Sequence, residues 1–432
     1  MNFTKYENYK DSGLKWLGEI PEDWKIERNK EIFFEASQKS ETGEETLLTV
    51  SHITGVTPRS EKNVNMFFAE TMEGYKVCKV GDLLINTMWA WMGALGTSNY
   101  DGICSPAYGV YRQRKWMPYN HHYFDYLFRV PNFVIEMTRF SKGIVSSRLR
   151  LYPSEFFQIK TPLPSYEIQT AIAEYLNEKT LQINKRIGLL KAKREKYQEL
   201  RKTIVNEVVT KGLNKNIELE DSGISWIGKI PKHWNFERFG DKFKQNKRKN
   251  TNLENDNLLS LSYGKIKRKD INSSLGLLPE SFDTYQIVEK GDIILRLTDL
   301  QNDWNSLRVG LVKENGIITS AYVGLKLSKL LFPAYIYYLL HNYDIKKVFY
   351  SQGGSIRQSM KFTDIKSLPL LYPDFDSQVE IANYLDEKTG KIDQIILTID
   401  KNIEALNEFR KTLINDAVTG KIKIVPAEKH AV

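Results

Sequence analysis

Residues 165–212 read SYEIQTAIAEYLNEKTLQINKRIGLLKAKREKYQELRKTIVNEVVTKG, and this stretch decides the fold of the chain. A large apolar residue recurs at every seventh position: Leu176, Ile183, Leu190, Tyr197 and Ile204. Ser165 is a suitable helix N-cap, and Gly212 is a suitable C-terminal stop. The pattern therefore predicts one long helix with an apolar seam that packs against another helix.

The same helix returns 209 residues further along the chain, from Leu176 to Leu385. The second seam consists of Leu385, Ile392, Ile399, Leu406 and Leu413. The first helix carries 10 basic and 6 acidic residues over 165–212, whereas the second carries 6 basic and 9 acidic residues over 376–421. Opposite charges beside apolar seams favour pairing between the two helices over self-pairing. The segment between them begins where one helix ends and finishes where the other begins, which favours an antiparallel pair.

A second duplicated motif shows that the whole chain is a tandem repeat. DSGLKWLGEIPEDW at 11–24 returns as DSGISWIGKIPKHW, 210 residues further on from Asp11 to Asp221. The motif predicts a turn that packs a tryptophan against its domain. We therefore predict an α+β fold with two mixed α/β domains and two long helices that pair as an antiparallel coiled coil, related by a pseudo-twofold axis. The predicted boundaries are 1–164 and 213–375 for the domains, and 165–212 and 376–432 for the helices with the C-terminal tail.

Each domain alternates β-prone runs with helical patterns. Strands are predicted within 47–53, 79–87, 108–113, 291–298 and 322–327, and helices within 121–137 and 333–350. A Gly/Ser/Arg-rich turn and a proline-bearing strand then lead into each long helix. Outside these shared landmarks the two domains differ in sequence. Equal scaffolds with different surfaces suggest two binding domains with two targets.

The composition limits the class of protein. Of the 432 residues 41% are hydrophobic, the formal net charge is +9, and no run of 18 apolar residues occurs. We expect no membrane association and a cytoplasmic location, and the two cysteines, Cys78 and Cys104, fit a reducing compartment. The positive charge is compatible with a polyanionic partner.

Motifs for catalysis and cofactors are missing from the sequence. The stretch 223–230 nearly spells a phosphate-binding loop, but Ile230 stands where Ser or Thr must hold the metal. The six histidines show no metal-ligand spacing. We therefore expect a non-catalytic chain without a metal or cofactor of its own.

Basic and amide side chains in the two domains are candidates for DNA contact. Arginine and amide groups read base edges, while lysines mostly hold phosphates, although a solvated surface is an equally good interpretation for any single residue. The candidates in the first domain are Arg112, Arg114, Arg148 and Arg150. Those in the second are Lys265, Lys267, Arg268, Lys269, Arg296, Gln301, Arg308 and Arg357.

The paired motifs resemble the specificity subunits of type I restriction-modification enzymes, and the resemblance covers nearly the whole chain. It rests on the two DSG-x-x-W-x-G-x-I-P-x-x-W motifs and on two helices that share Q-x-x-IA-x-YL-x-x-KT, with Gln169, Tyr175 and Leu176 repeated as Gln378, Tyr384 and Leu385. The resemblance implies two target-recognition domains, each reading one half of a split site in double-stranded DNA. It also implies helices that set the half-site separation and bind two methyltransferase (M) subunits.

By the same resemblance, chemistry lies on the partners: S-adenosylmethionine on the M subunits, and ATP and magnesium on the restriction (R) subunits. Coil packing remains the more favoured role for the apolar helix positions. The alternative from another class is a coiled-coil scaffold whose end domains bind proteins, with no role in DNA recognition. A self-contained methyltransferase or nuclease is a third interpretation, which the missing motifs disfavour.

Overall fold

A computed structural model describes residues 4–62, 71–145, 148–271, 279, 281–300, 303, 307–351 and 359–425. The chain divides into two compact units. Unit 1 comprises residues 1–190 and 401–432, and unit 2 comprises residues 191–400. The first unit is thus completed by a segment that follows the second in sequence. Both units mix helices and strands, which confirms the α+β class.

Short strands and helices precede the first long helix. In chain order they are β1 (Tyr9–Asp11), β2 (Glu19–Pro21), β3 (Lys25–Arg28), α1 (Asn29–Ile32), β4 (Phe33–Glu35), β5 (Leu48–Ser51), β6 (Gly55–Pro58), β7 (Lys76–Cys78), β8 (Leu83–Asn86), β9 (Leu95–Thr97), β10 (Gly102–Cys104), β11 (Tyr108–Gln113), α2 (His121–Phe128), α3 (Pro131–Phe140), α4 (Pro153–Phe156), β12 (Lys160–Leu163) and the long helix α5 (Tyr166–Lys211). Unit 1 is built on an antiparallel sheet in the order β4-β11-β8-β9.

The second half of the chain repeats this succession. Its elements are β13 (Leu219–Asp221), β14 (Lys229–Pro231), β15 (Asn235–Arg238), α6 (Phe239–Lys242), β16 (Phe243–Gln245), β17 (Leu259–Ser262), β18 (Lys265–Arg268), β19 (Gln286–Val288), β20 (Ile293–Leu295), β21 (Val309–Leu311), β22 (Gly316–Ile318), β23 (Val323–Leu327), α7 (Pro333–Ile345), α8 (Val348–Ser351), α9 (Phe362–Ile365), β24 (Pro369–Tyr372) and the long helix α10 (Phe375–Val418). Its sheet has the order β16-β23-β20-β21, which matches the strand order of unit 1. The two units therefore share one scaffold.

Aromatic side chains fill the core of unit 1 between sheet and helices. Phe33 at the start of β4 lies 5.8 Å from Phe124 and 6.0 Å from Phe128 of α2, measured between ring centroids. Burying rings of this size contributes about 1.5–3 kcal/mol each. This packing fixes the sheet against the helix that follows it.

The repeated tryptophan packs against the C-terminal end of a long helix. In unit 1, Trp24 is fully buried, and a Cβ built on Gly420 would lie 3.3 Å from its ring. In unit 2, a Cβ built on Gly212 would lie 3.1 Å from the ring of Trp234. Both glycines have positive φ, +76° and +79°, and so they end their helices in the conformation that glycine favours. The repeated tryptophan thus packs as predicted, and its partner is the end of a long helix.

A buried glutamine joins the start of each long helix to its domain. Gln169 accepts a hydrogen bond from the backbone N–H of Asn120 at 2.8 Å and donates to the carbonyls of Pro118 and Pro164. Gln378 in unit 2 accepts from the backbone N–H of Phe332 at 2.8 Å and donates to two carbonyls in the same manner. Because each amide is buried and fully bonded, it fixes where the helix starts relative to its domain.

The two long helices contact each other within each unit. In unit 2, Arg194 donates to Asp400 at 3.0 Å and Arg201 donates to Asp393 at 3.1 Å, so the two helix segments run antiparallel there. In unit 1, Arg410 donates to Asn184. The seam residues Leu176, Ile183, Leu385, Ile392, Ile399 and Leu413 are buried, and Leu190, Tyr197, Ile204 and Leu406 are half-buried.

Candidate nucleic-acid interface

Two loops adjoin each other at one end of the sheet in each unit. In unit 1, residues 87–92 follow β8, and the N–H of Leu151 donates to the carbonyl of Thr87 at 3.1 Å. In unit 2, the segment after β20 receives the equivalent hydrogen bond, from the N–H of Met360 to the carbonyl of Leu297 at 2.8 Å. In unit 1 the Gly/Ser/Arg-rich turn thus ends beside the loop that follows a central strand, and in unit 2 Met360 lies beside the corresponding loop.

The first unit exposes two predicted arginines at this position. Arg150 forms an isolated bridge with Lys142, and the N–H of Arg148 donates to the carbonyl of Val145 at 2.8 Å. Both arginine side chains are exposed, and no ion pair involves them among the described residues. Lys142 is paired with Glu155. The two arginines remain available to a phosphate.

Arg112 and Arg114 lie near the C-terminal end of β11, whereas the loop after β8 adjoins the N-terminal end of that strand. Arg112 donates from Nε and Nη2 to both carboxylate oxygens of Asp82, at 2.8 and 2.7 Å, and this hydrogen bonding raises the pKa of Arg112. Arg114 donates to the carbonyl of Lys30 at 2.9 Å and lies over the ring of Trp116 at 5.5 Å. The structure therefore does not bring these residues together with Arg148 and Arg150, and their contact with DNA stays a prediction.

A cluster of lysines lies in and directly after strand β18 of unit 2. Side chains alternate between faces along a strand, so Lys265, Lys267 and Lys269 share one face. All three are exposed. Arg268 occupies the other face and forms an ion pair with Glu314. The three lysines retain the features expected of phosphate contacts, whereas the guanidinium of Arg268 already has a carboxylate partner.

The prediction that Arg308 contacts DNA is wrong. Its side chain is fully buried, and its nitrogens donate to backbone carbonyls and to a tyrosine hydroxyl inside the unit. The acceptors are the carbonyls of Arg296, Thr298, Asp299 and Asp303 and the hydroxyl of Tyr350. Arg308 therefore holds the backbone of the loop after β20 in place. The five N–H donors of its planar guanidinium can bind several carbonyls at once.

Of the remaining candidates of unit 2, the structure describes Arg296, which follows β20 directly. Arg296 is half-buried and lies 3.7 Å from the carboxylate of Asp303. Gln301 and Arg357 lie outside the described residues. Sequence reasoning missed the exposed apolar residues that follow β8 in unit 1, although the run MWAWM at 88–92 is an unusual one for a surface loop.

Each unit has a groove between the helix that packs on its sheet and the long helices. In unit 2 its volume is about 860 Å³, and it is lined by His341, Asp344 and Arg201 among others. Burial, with a smaller contribution from Arg201, lowers the pKa of His341 to about 4, and burial raises the pKa of Asp344 to about 6. The corresponding groove of unit 1 has a volume of about 840 Å³ and is lined by His122, Arg129 and other residues.

No cluster of three His, Cys, Asp or Glu side chains that could hold a metal ion occurs among the described residues. Within the same part of the chain, no helix combines the length and the apolar character needed to cross a bilayer. The long helices are too rich in charge for that purpose.

Comparison with known proteins shows what the chain is similar to. No family model matches the chain. Among curated proteins, the putative type I restriction enzyme MjaX specificity subunit of Methanocaldococcus jannaschii is 22% identical over 98% of this chain and 99% of its own length. The MjaVIII specificity subunit of the same organism is 23% identical over 62% of this chain and 63% of its own length. The chain is thus similar, over nearly its whole length, to a type I restriction enzyme specificity subunit.

Solved structures support the fold of this chain. A chain from a study of complex assembly and conformational transition in the type I restriction-modification system matches 92% of it, and 98% of its own length, with a TM-score of 0.67 at 14% identity. The crystal structure of the HsdS subunit from Thermoanaerobacter tengcongensis matches 93% of it, and 98% of its own length, with a TM-score of 0.53, also at 14% identity. At such identities the likeness shows a shared fold, while the loops have their own sequences.

Proposed function

We propose that this chain is a type I specificity subunit that reads a split site in double-stranded DNA, with one half-site contacted by each unit. The loops at the sheet ends and the lysines in and directly after β18 are the proposed contacts. Lysines supply salt-dependent affinity through phosphates, and the loops supply base contacts.

One observation carries the proposal: the two units share a scaffold but differ in the loops it presents. The strand order is the same in both sheets, and the hydrogen bond between the two loops recurs in both. Yet the loop after β8 reads TMWAWM, and the loop after β20 begins RLTDL. Equal scaffolds with unequal loops suit a target made of two different halves.

We further propose that the long helices pair as an antiparallel coiled coil, related by a pseudo-twofold axis, and set the distance between half-sites. A solved structure with the same fold comes from a study of complex assembly in a type I restriction-modification system. By analogy, two methyltransferase subunits bind here, with the duplicated grooves as the proposed docking surfaces, and restriction subunits complete the complex. S-adenosylmethionine, ATP and magnesium would then be used by those partners, in the cytoplasm.

Exchange of one domain tests this function. The full chain is co-expressed with its methyltransferase subunit, and the methylated motif is read from the genome. Replacing residues 213–375 with the matching segment of another family member should change one half of that motif and preserve the other. A change in both halves would contradict the assignment of one half-site to each unit. A chain that never directs methylation but binds other proteins through its end domains would support the scaffold alternative.

A further inference from the structure

The loop after β8 in unit 1 exposes apolar side chains although its backbone is well anchored. Trp89 is 49% exposed, Met88 39% and Met92 37%, whereas Ala90 between them is fully buried. The smallest side chain of the loop is therefore buried, and its larger apolar side chains are exposed to solvent. Contiguous apolar groups held at a surface indicate a binding site.

Hydrogen bonds fix the shape of this loop. The N–H of Ala94 donates to the carbonyl of Trp89 at 3.2 Å, and the indole N–H of Trp91 donates to the carbonyl of Met88 at 3.0 Å. The chain turns back at Gly93, which has a φ of +83°. Trp89 is thereby presented on a rigid support, and its ordering requires little further loss of entropy on binding.

The second loop of the pair places positive charge beside the apolar group. The hydrogen bond from Leu151 to Thr87 puts Arg150 one residue, and Trp89 two residues, from the contact point. Three Cα spacings of about 3.8 Å and one step of about 5.5 Å between the hydrogen-bonded chains place the Cα atoms of Arg150 and Trp89 within roughly 17 Å of each other. Arg148 and Arg150 are both exposed, and Tyr152 beside them is 45% exposed. An exposed indole with arginines nearby is complementary to DNA, in which the apolar faces of stacked bases lie between charged phosphates.

The alternative occupant is a protein bound by both units. A partner shared by the two units would need similar side chains at the two equivalent loops. The loop of unit 2 is longer and reads RLTDLQNDWNSLR over 296–308, so its one aromatic residue, Trp304, stands farther along the sequence from its strand than Trp89 does. The difference favours a ligand that differs between the units, and the two halves of a split DNA site do differ.

We infer that Trp89, supported by Met88, inserts at a base step of the half-site read by unit 1 and partly unstacks it. This inference rests on the proposed function and adds a specific residue and a DNA distortion to it. Arg148 and Arg150 hold the phosphates on either side of the unstacked step. Apolar wedges of this kind kink the duplex and add a contribution from DNA deformability to specificity.

The test uses the full chain assembled with its methyltransferase subunits and a duplex that carries the motif found by methylome sequencing. 2-Aminopurine is placed at successive positions of each half-site, because its fluorescence rises on unstacking. We expect a rise in one half-site with the wild-type complex and none there with Trp89→Ala. Stacking energies predict that Trp89→Ala weakens binding roughly tenfold or more, while Trp89→Phe restores most of the affinity.

Trp116 provides the matched control. It is 72% exposed in the same unit but follows the opposite end of the sheet, so Trp116→Ala should keep both affinity and fluorescence. Wild-type affinity in Trp89→Ala would overturn the inference alone, as would a loss of affinity without any unstacking in the wild type. Loss of methyltransferase subunits from the Trp89→Ala complex would assign the loop to a protein contact. A wild-type complex that bound a scrambled duplex equally well would overturn the proposed function as well.

Discussion

Trp24 packs against the backbone of Gly420, so closely that a Cβ on the glycine would lie 3.3 Å from Cη2 of the indole and collide with Pro21. Gly420 lies just after the end of α10, where this helix packs against the rest of unit 1. The equivalent Gly212 would meet the ring of Trp234 alone. The contacts with tryptophan are similar, but Pro21 leaves less room for a side chain at Gly420 than there is at Gly212.

Alanine at Gly420 should therefore destabilise the protein more than alanine at Gly212. Both substitutions place a side chain at positive φ, which costs about 1–2 kcal/mol. At Gly420, overpacking against Pro21 should add about 1–3 kcal/mol. Thermal unfolding of the full chain measures the difference. Gly188→Ala is the control, because a Cβ there meets nothing within 4 Å inside α5, and it should stabilise by up to about 1 kcal/mol.

His341 should make the stability of unit 2 fall in mild acid. Its pKa is lowered to about 4 in the folded protein from an ordinary value of 6.5. Between these values the unfolded chain binds more protons, so the free energy of unfolding decreases as pH falls from 6.5 towards 4 and is level above 6.5. The greatest slope from one such group is about 1.4 kcal/mol per pH unit.

Comparison with His341→Gln isolates this contribution. Arg201, Asp393 and Tyr337 line the same groove, and Asp344, whose pKa is raised to about 6, acts in the opposite direction as pH falls from 6 to its ordinary 3.8. All of these groups are present in both proteins. Subtracting the two pH curves should therefore leave a difference that shrinks between pH 6.5 and 4, and parallel curves would contradict the prediction.

Neutralising Lys265, Lys267 and Lys269 should reduce the salt dependence of DNA binding. Each lost phosphate contact lowers the slope of log affinity against log salt by about 0.9. Arg268→Gln on the other face of the strand is the matched control, because its charge is already paired with Glu314. Binding of the assembled complex is measured at several salt concentrations. A slope that falls only with the Arg268 variant would reverse the assignment of the two faces.

Removing opposed heptads should shorten the proposed spacing between half-sites. In unit 2, the pairs Arg194–Asp400 and Arg201–Asp393 define the register, and deletion of 194–200 together with 394–400 preserves it. Seven helical residues span about 10 Å, which corresponds to roughly three base pairs of 3.4 Å if coil and DNA are aligned. Methylome sequencing should show both half-sites with fewer bases between them. An active variant with an unchanged spacer would mean that the helices do not set the distance.

Deletion of one heptad from α5 alone provides the control. Removing residues 194–200 without 394–400 leaves the two helices unequal in length, so one helix end is displaced against its neighbour by about 10 Å. We expect this variant to lose binding, because that helix end would no longer reach its tryptophan. Removing 184–190 with 393–399, which do not oppose each other, still shortens both helices equally and should act like the first deletion.

The sequence was sufficient for the features that repeat or that depend on local periodicity. The seven-residue spacing predicted a helix over 165–212, and the structure has one over Tyr166–Lys211. The burial of Arg308 could not be predicted in this way. An arginine after a polar loop gives the same sequence pattern whether its side chain faces solvent or bonds to backbone carbonyls. Burial is decided by contacts far apart in sequence, such as that of His341 with Arg201, at 3.5 Å. Gln169 and Gln378 did leave a signal, an amide unchanged in both repeats shortly after a proline.

The discontinuity of unit 1 has a consequence for the history of the chain. Trp24 of the first repeat packs on the helix of the second, Trp234 of the second packs on the helix of the first, and Thr4 and Lys423 are joined by a backbone hydrogen bond at 2.8 Å. Such mutual exchange is the pattern of a domain-swapped homodimer joined into one polypeptide. In a homodimer every loop mutation appears twice, and only palindromic targets are possible. Joining the two copies in one chain lets one loop change alone, which the proposed recognition of two different half-sites requires.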